Sequence, residues 1–245
     1  MDILLLSNGK TAGNQHVMEF AETAIVEQIN RTGAKNILVV PYAVIRSPHD
    51  ARVQLVQDSL DSFGLDCNVT GIHNAADPVK AIQEADCIVV SGGNTWVLNK
   101  TLHDFNLISA IRKAVLMDGI PYIGWSAGTN IACPTIRTTN DMPIITSVVL
   151  SSLNLVPFQI NPHYLAASLE GHFGETRDER ITEFLAVNQH EPVVGIAEGT
   201  WLQLLHGKLS YHSPKEKQLK LFTYGQDAKY YSVDDSIDFL MQHSC

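Results

Sequence analysis

The sequence is poor in the basic residues that mark nucleic-acid-binding proteins. Only 17 of its 245 residues are lysine or arginine, against 26 aspartates and glutamates, and the formal net charge is −9. Binding to nucleic acid needs a basic surface that meets the phosphates, so we expect no nucleic-acid partner. A net negative charge does not exclude a locally positive pocket that binds an anionic substrate.

Cysteine is scarce, and its spacing excludes the common zinc sites. The four cysteines are Cys67, Cys87, Cys133 and Cys245. They form no C-x-x-C pair and match no zinc-site spacing. Because Cys87 lies in the apolar run ADCIVV, we expect it to be a buried small hydrophobic residue. We interpret all four as reduced thiols of a cytoplasmic protein.

Long apolar runs are also missing. The opening MDILLLSNGK has no basic segment before its short apolar run, so it predicts a first strand and not a signal peptide. No window approaches the roughly 20 apolar residues that a membrane helix needs. We therefore expect a soluble chain with no membrane partner.

The sequence does contain an alternation of short apolar runs and helical patterns. The runs are ILLLS, NILVVP, CNVTGI, CIVVSGG and YIGWSAG, and the helical patterns are QHVMEFAETAIVEQINRTG, RVQLVQDSLDSFG, DPVKAIQEA and LISAIRKAVLMDG. Strands without polar alternation are buried on both faces, so the alternation predicts a parallel sheet covered by helices. The expected class is α/β, a doubly wound, flavodoxin-like, mainly parallel sheet with helices on both faces.

The second half of the chain is more varied. TRDERITEFLAVNQ predicts a helix, and LNLVPFQINPHY predicts one extended segment. The stretches PVVGIAEGTWLQLL, KLSYHS and KLFTYG predict C-terminal antiparallel strands that extend the sheet. No repeat or linker interrupts the chain, so we expect residues 1–245 to form a single domain.

The stretch GWSAGTNIA at 124–132 contains a G-x-S-x-G pattern centred on Ser126. In that pattern a serine nucleophile lies on a tight strand-to-helix turn, and the N–H of the next residue, Ala127, faces a developing oxyanion. Five residues alone are a weak signal. Strand-like YIG precedes the pattern and helix-compatible TNIA follows it, which places Ser126 at the sheet edge where ligands bind.

A second glycine turn, SGGNT at 91–95, follows the run CIVV. The N–H of Gly93 is a candidate second oxyanion donor, and such a donor lowers a barrier by roughly 3 kcal/mol. The alternative is an ordinary strand-to-helix turn in which Asn94 or Thr95 caps the helix.

A serine nucleophile needs a base, and the base needs a carboxylate that orients it. Among ten histidines, His163 in QINPHY follows a strand-like run and a proline, and His172 in EGHFGETR is its nearest rival. Asp141 in RTTNDMP and Glu198 in GIAEGTW are both credible acids. A turn aspartate and a hairpin glutamate are the alternatives, and the pattern alone does not choose between the two.

Together these motifs closely resemble the peptidase E family, the α-aspartyl dipeptidases. The resemblance rests on GWSAGTNIACPTIRTTNDMPI, QINPHY, GHFGETRDER, AEGTW, SGGNTW and LLLSN, and it runs from the first strand to about Leu205. It implies a serine peptidase without metal or cofactor, on a fold similar to class I glutamine amidotransferase domains. The implied partner is a small peptide substrate with an N-terminal aspartate, and the oligomeric state stays open between monomer and homodimer.

The resemblance also assigns roles to residues. It makes Ser126 the nucleophile and His163 the base, and it matches both Asp141 and Glu198 to the third member of the triad. A strand end holds a side chain more firmly than a loop does, so we favour Glu198 as the partner of His163. Asp141 then shapes the pocket, near the free amine of the substrate.

Three further residues are expected to bind substrate. Arg177 in GETRDER matches the arginine that the family uses for the aspartate side chain, and a guanidinium holds a carboxylate through two parallel hydrogen bonds. Arg137 is a second cation, which either binds the same substrate carboxylate or pairs with Asp141. Asn94 is the third residue that we expect to bind substrate.

Other functions share parts of this pattern. A cyanophycinase-like or isoaspartyl exopeptidase has the same fold and serine but cleaves β-linked aspartyl bonds. A glutaminase-like amidotransferase has cysteine at the elbow. An α/β-hydrolase esterase matches the order Ser126, Asp141, His163 but not the remaining motifs. A binding module would hold aspartyl peptides without cleaving them.

Overall fold

The computed structural model describes residues 1–165 and 174–242, and its largest element is a seven-stranded sheet. The strand order is β3-β2-β4-β5-β1-β8-β9. The first five strands are parallel, whereas β8 and β9 are antiparallel to their neighbours. The strands are β1 Asp2–Leu6, β2 Asn36–Val40, β3 Asn68–Gly71, β4 Cys87–Val90, β5 Tyr122–Trp125, β8 Trp201–Leu205 and β9 Lys208–His212.

Helices cover both faces of this sheet, as predicted. In β1, Ile3 and Leu5 face a core shared with α3, α4 and α5, whereas Leu4 and Leu6 face a core shared with α1 and α2. A strand buried on both faces must be apolar at every position, which explains the run ILLL. The helices are α1 Glu22–Thr32, α2 His49–Ser62, α3 Pro78–Glu84, α4 Thr95–Asp104, α5 Ile108–Leu116, α6 Ala127–Asn130 and α7 Arg177–Val187.

A second sheet of four strands lies in the C-terminal half, in the order β11-β10-β7-β6. Its strands are β6 Gln159–Asn161, β7 Val193–Gly195, β10 Leu219–Phe222 and β11 Lys229–Tyr231. The expectation that the C-terminal strands extend the main sheet is therefore right for β8 and β9 and wrong for β7 and β10. The stretch PVVGIAEGTWLQLL crosses from one sheet to the other, because β7 pairs with β6 and β8 pairs with β1.

Within the described part of the chain, no helix has both the length and the apolar character needed to cross a membrane.

Candidate active site

Ser126 lies on a strained turn between β5 and α6. Its φ of 54° and ψ of −110° belong to a region that residues with a side chain rarely adopt. The N–H of Ser126 donates to Leu6 O at 3.1 Å, and the Thr129 hydroxyl donates to the same oxygen at 2.6 Å. The end of β1 therefore fixes the elbow at the carboxyl edge of the sheet.

The two glycines of G-x-S-x-G are required by close packing. A Cβ on Gly124 would lie 2.6 Å from Gly128 O, and a Cβ on Gly128 would lie 2.2 Å from Val90 O. Both distances are shorter than any tolerated carbon–oxygen contact. The elbow helix can therefore approach β4 and β5 only when these positions have no side chain.

His163 connects the serine to a carboxylate. Its Nε2 lies 2.9 Å from Ser126 Oγ, and its Nδ1 lies 2.8 Å from Glu198 Oε1. His163 follows β6 with a φ of 54°. The chain beside it is fixed on both sides, because Asn140 Nδ2 donates to Pro162 O at 2.7 Å and Tyr164 N donates to Ile196 O at 3.0 Å. His172, the rival base, lies outside the described residues.

Glu198 occupies the crossing between the two sheets, which is neither the strand end nor the hairpin considered from the sequence. Polar contacts hold this short segment: Gly199 N donates to Asn8 Oδ1 at 2.8 Å, and Lys217 Nζ donates to the main-chain oxygen of Glu198, also at 2.8 Å. These contacts fix the backbone of Glu198, and its side-chain carboxylate binds His163.

Asp141 lies at the start of α4. Its Oδ2 accepts from Thr95 N at 2.7 Å, from Thr95 Oγ1 at 2.6 Å and from Thr139 Oγ1 at 3.2 Å. It makes no hydrogen bond to His163 in the part of the chain that the structure describes. The carboxylate stabilises the N-terminus of α4, where backbone N–H groups lack partners and favour negative charge. The alternative in which Asp141 orients the imidazole does not fit this geometry.

Asn94 also serves the start of α4. Its Oδ1 accepts from Val97 N at 3.1 Å, as a helix cap does, and its Nδ2 donates to Met142 O at 2.9 Å. Both polar ends of the amide are therefore engaged by the protein. This arrangement matches the capping alternative stated for the glycine turn, not the expected substrate contact.

The glycine turn packs against the nucleophile. A Cβ on Gly92 would lie 3.0 Å from Ser126 Cβ, and a Cβ on Gly93 would lie 2.1 Å from Ala43 O. Gly93 has a φ of 150°. Within residues 1–165 and 174–242, the N–H groups of Gly93 and Ala127 have no acceptor. Two unpaired backbone donors thus belong to the turns on either side of the serine.

Arg177 lines a cavity of about 370 Å³ together with Asn140, Asp141 and Asn161. Its guanidinium donates to Asn140 Oδ1, and among the described residues it forms no ion pair with a carboxylate. Burial, followed by the nearby charge of Arg180, lowers the pKa of Arg177 from its usual value. The cavity therefore holds a half-buried cation whose charge no carboxylate of residues 1–165 and 174–242 matches through an ion pair.

Arg137 lines the same cavity, but its guanidinium is already occupied. It donates to Glu191 Oε1 at 2.5 Å, to Thr135 Oγ1 at 3.0 Å and to Asn188 Oδ1. The alternative in which Arg137 pairs with Asp141 does not fit this geometry. Because its charge is matched by Glu191, Arg137 is a weaker candidate than Arg177 for a substrate carboxylate.

Lys220 was missed by the sequence analysis. Although it lies in β10 and is 6% exposed, its Nζ reaches Asp178 Oδ2 at 2.5 Å, and Tyr164 Oη donates to Asp178 Oδ1 at 2.5 Å. Burial opposes the charge of Lys220, yet the hydrogen bond with Asp178 and the neighbouring Tyr164 and Tyr230 outweigh it and raise its pKa. This network ties the first turn of α7, where Arg177 lies, to the second sheet. The one sequence feature that could have indicated this network is the lysine within the apolar run QLKLF.

Comparison with known proteins agrees with the motifs. The model of peptidase family S51 matches residues 3–211. The chain is 38% identical to Peptidase E of Nostoc sp. over 242 residues, which are 99% of this chain and 97% of that protein. It is 42% identical to Peptidase E of Salmonella paratyphi A over 214 residues, 87% of this chain and 91% of that protein.

The fold has a relative among solved structures as well. The crystal structure of a peptidase from an acI-B1 actinobacterium superposes with a TM-score of 0.68 and covers 96% of each chain, at 17% sequence identity. That identity supports the fold alone, whereas the family match and the two sequence relatives confirm the resemblance to peptidase E. The chain belongs to peptidase family S51.

Proposed function

We propose that this peptidase hydrolyses dipeptides with an N-terminal aspartate through an aspartyl-enzyme formed on Ser126. The observation that carries the proposal is the hydrogen-bonded series from Ser126 through His163 to Glu198, beside a cavity that holds the unmatched cation Arg177. A nucleophile, its base and the group that orients the base are the parts that acyl transfer by serine requires.

In the first half of the reaction, Ser126 Oγ attacks the carbonyl carbon of the substrate aspartate. His163 Nε2 takes the hydroxyl proton, and Glu198 stabilises the imidazolium that forms. The N–H groups of Gly93 and Ala127 hold the oxyanion. The C–N bond then breaks, and His163 gives its proton to the leaving amine.

In the second half, water attacks the ester carbonyl and gives its proton to His163. The bond between the acyl carbon and Ser126 Oγ breaks, the serine recovers a proton from His163, and free aspartate leaves. The same two backbone donors hold the second oxyanion. No other group is needed to balance either step.

Arg177 selects the aspartate side chain. A carboxylate in the cavity of Arg177 gains a charge-assisted pair with a half-buried guanidinium, whereas an asparagine or leucine side chain leaves that cation unmatched. The carboxylate of Asp141 lines the same cavity. It supplies the negative charge that the free amine of the substrate needs.

Hydrolysis of Asp-Leu beside isoAsp-Leu, Asn-Leu, Glu-Leu and Leu-Leu, followed by chromatography, tests this specificity. We expect the wild-type protein to cleave Asp-Leu well above the others, and Arg177→Met to lose most of that preference over Asn-Leu. Preferred cleavage of isoAsp-Leu would move the protein to the β-aspartyl alternative. An unchanged Asp-to-Asn ratio in Arg177→Met would remove Arg177 as the selecting residue.

A further inference from the structure

A second cavity is lined by the His163–Glu198 pair itself. It measures about 640 Å³, and its lining includes His163, Glu198, Leu165, Lys217 and Tyr230. Apolar and aromatic groups form much of its wall, with a few charged groups among them. Such a mixture suits a small ligand with one apolar part and one charged end.

Its position is that of the leaving residue. The histidine that activates a serine nucleophile later gives its proton to the leaving amine, so the leaving residue must lie beside His163. The cavity of Arg177 is not lined by His163 or Glu198, whereas the second cavity is lined by both. The two cavities are therefore suited to the two halves of one dipeptide.

The charges in the second cavity single out Lys217. Lys220 is matched by Asp178 at 2.5 Å, and Glu198 is hydrogen-bonded to His163 Nδ1 at 2.8 Å. Lys217 Nζ donates to a main-chain oxygen, that of Glu198, at 2.8 Å, and within the described residues it has no carboxylate partner. A neutral carbonyl leaves the positive charge of this ammonium unmatched, on a long and exposed side chain that can reach into the cavity.

We propose that Lys217 binds the free α-carboxylate of the leaving residue, while Leu165 and Tyr230 contact its side chain. This assignment rests on the proposed function and deepens it. A cation at that place favours substrates that end with a free α-carboxylate one residue beyond the scissile bond, which are dipeptides. Lys217 and Tyr230 lie beyond the residues 3–211 that the family model matches. The proposal thus gives the C-terminal segment a role in substrate choice.

The test compares Asp-Leu with Asp-Leu-amide, which differs only in the charge at its C-terminus. For the wild-type enzyme we expect kcat/KM to be about tenfold or more higher for Asp-Leu, as for a charge-assisted hydrogen bond. In Lys217→Met this preference should fall to near unity, with a larger loss of kcat/KM for Asp-Leu than for Asp-Leu-amide. Because Lys217 Nζ also donates to Glu198 O, losing that contact affects both substrates alike, and the ratio of the two kcat/KM values isolates the effect on the carboxylate.

Lys215→Met is the matched control, because Lys215 is an exposed lysine of the same loop that does not line the cavity. It should keep the wild-type preference. A wild-type preference in Lys217→Met, or an equal loss for both substrates, would overturn the assignment of Lys217. If the wild-type enzyme cleaves neither aspartyl substrate, the proposed function itself fails and this assignment fails with it.

Discussion

Ser126 and His163 both have a left-handed backbone, with φ of 54° at each. Such conformations are costly for residues with a side chain, by roughly 1–3 kcal/mol, and here both occur where a turn leaves a strand. In each case a hydrogen bond holds the strained turn: Ser126 N donates to Leu6 O, and Asn140 Nδ2 donates to the oxygen of Pro162, which precedes His163. At these two turns Ser126 Oγ and His163 Nε2 lie 2.9 Å apart.

The two candidate carboxylates differ in what they contact, and this difference predicts different kinetic effects. Glu198→Gln removes the charge that stabilises the imidazolium, so kcat should fall about 10²- to 10⁴-fold. Asp141→Asn leaves His163 and its partner in place. It should weaken the N-terminus of α4 by about 1 kcal/mol and raise KM with little change in kcat.

Steady-state kinetics on Asp-Leu separates these effects, with urea unfolding to measure stability. Equal losses of kcat in both variants, or a larger loss in Asp141→Asn, would reverse the assignment of the two carboxylates.

At the scale of elements, the site is built from helix starts that meet at one edge of the sheet. The N-terminus of α4 is capped by Asn94 and Asp141, and α6 begins directly after the nucleophile. The N-terminus of α7 carries a capping box between Thr176 and Glu179. The starts of α4 and α7 are thus capped by the protein's own side chains, whereas the Ala127 N–H at the start of α6 has no acceptor among the described residues and suits an oxyanion.

The start of α7 is fixed to the second sheet by Lys220, and this link predicts a loss of stability in Lys220→Met. The substitution leaves Asp178 without its cation. Because the side chain of Asp178 is 40% exposed, we expect a loss of about 2 kcal/mol, below the cost of breaking a fully buried pair.

Urea unfolding measures this effect, and Lys229→Met, at an exposed lysine of β11, is the control. A double-mutant cycle with Asp178→Asn should show that the two losses are not additive. A Lys220→Met protein as stable as the wild type would contradict the link.

At the scale of the whole molecule, periodicity predicted the parallel half of the fold well, because each of its strands is a short apolar run between helical patterns. It could not predict the second sheet. β7 and β8 are separated by one short turn and both are apolar, so nothing local shows that they pair with different partners, β6 and β1. The helix α4 was expected only through the capping alternative for the glycine turn, because no separate helical pattern was assigned after that turn.

The site was predicted only as far as its motifs extend. Ser126, His163, Glu198 and Arg177 all lie in recognisable stretches, and the structure brings the first three into one hydrogen-bonded series. Lys217 and Lys220 lie in a segment without such motifs. Their positions depend on how the second sheet folds back over the site, which is long-range information that sequence patterns do not contain.

The stability of the whole fold should depend on acidity through carboxylates that bind backbone N–H groups. Hydrogen bonds from the backbone of Asn36, then of Lys35, lower the pKa of Asp86 and so join the start of β2 to the chain before β4. A group with a lowered native pKa contributes stability above its unfolded pKa of about 4, and this contribution is lost as the pH falls through the native value.

We therefore expect the Tm of the wild-type protein to fall between about pH 5 and pH 2, and to fall less in Asp86→Asn. Thermal unfolding followed by circular dichroism measures both. Asp66→Asn, at an exposed carboxylate 3.9 Å from Lys35 Nζ, should behave as the wild type. The same acid-induced decrease in Asp86→Asn as in the wild type would contradict this role.

The role of Ser126 as the nucleophile is tested most directly by kcat/KM for Asp-Leu in Ser126→Ala beside the wild type. With the fold verified by an unchanged circular dichroism spectrum, we expect a loss of about 10⁴-fold or more, as for removal of other serine nucleophiles. A Ser126→Ala enzyme that cleaves Asp-Leu at the wild-type rate would contradict it.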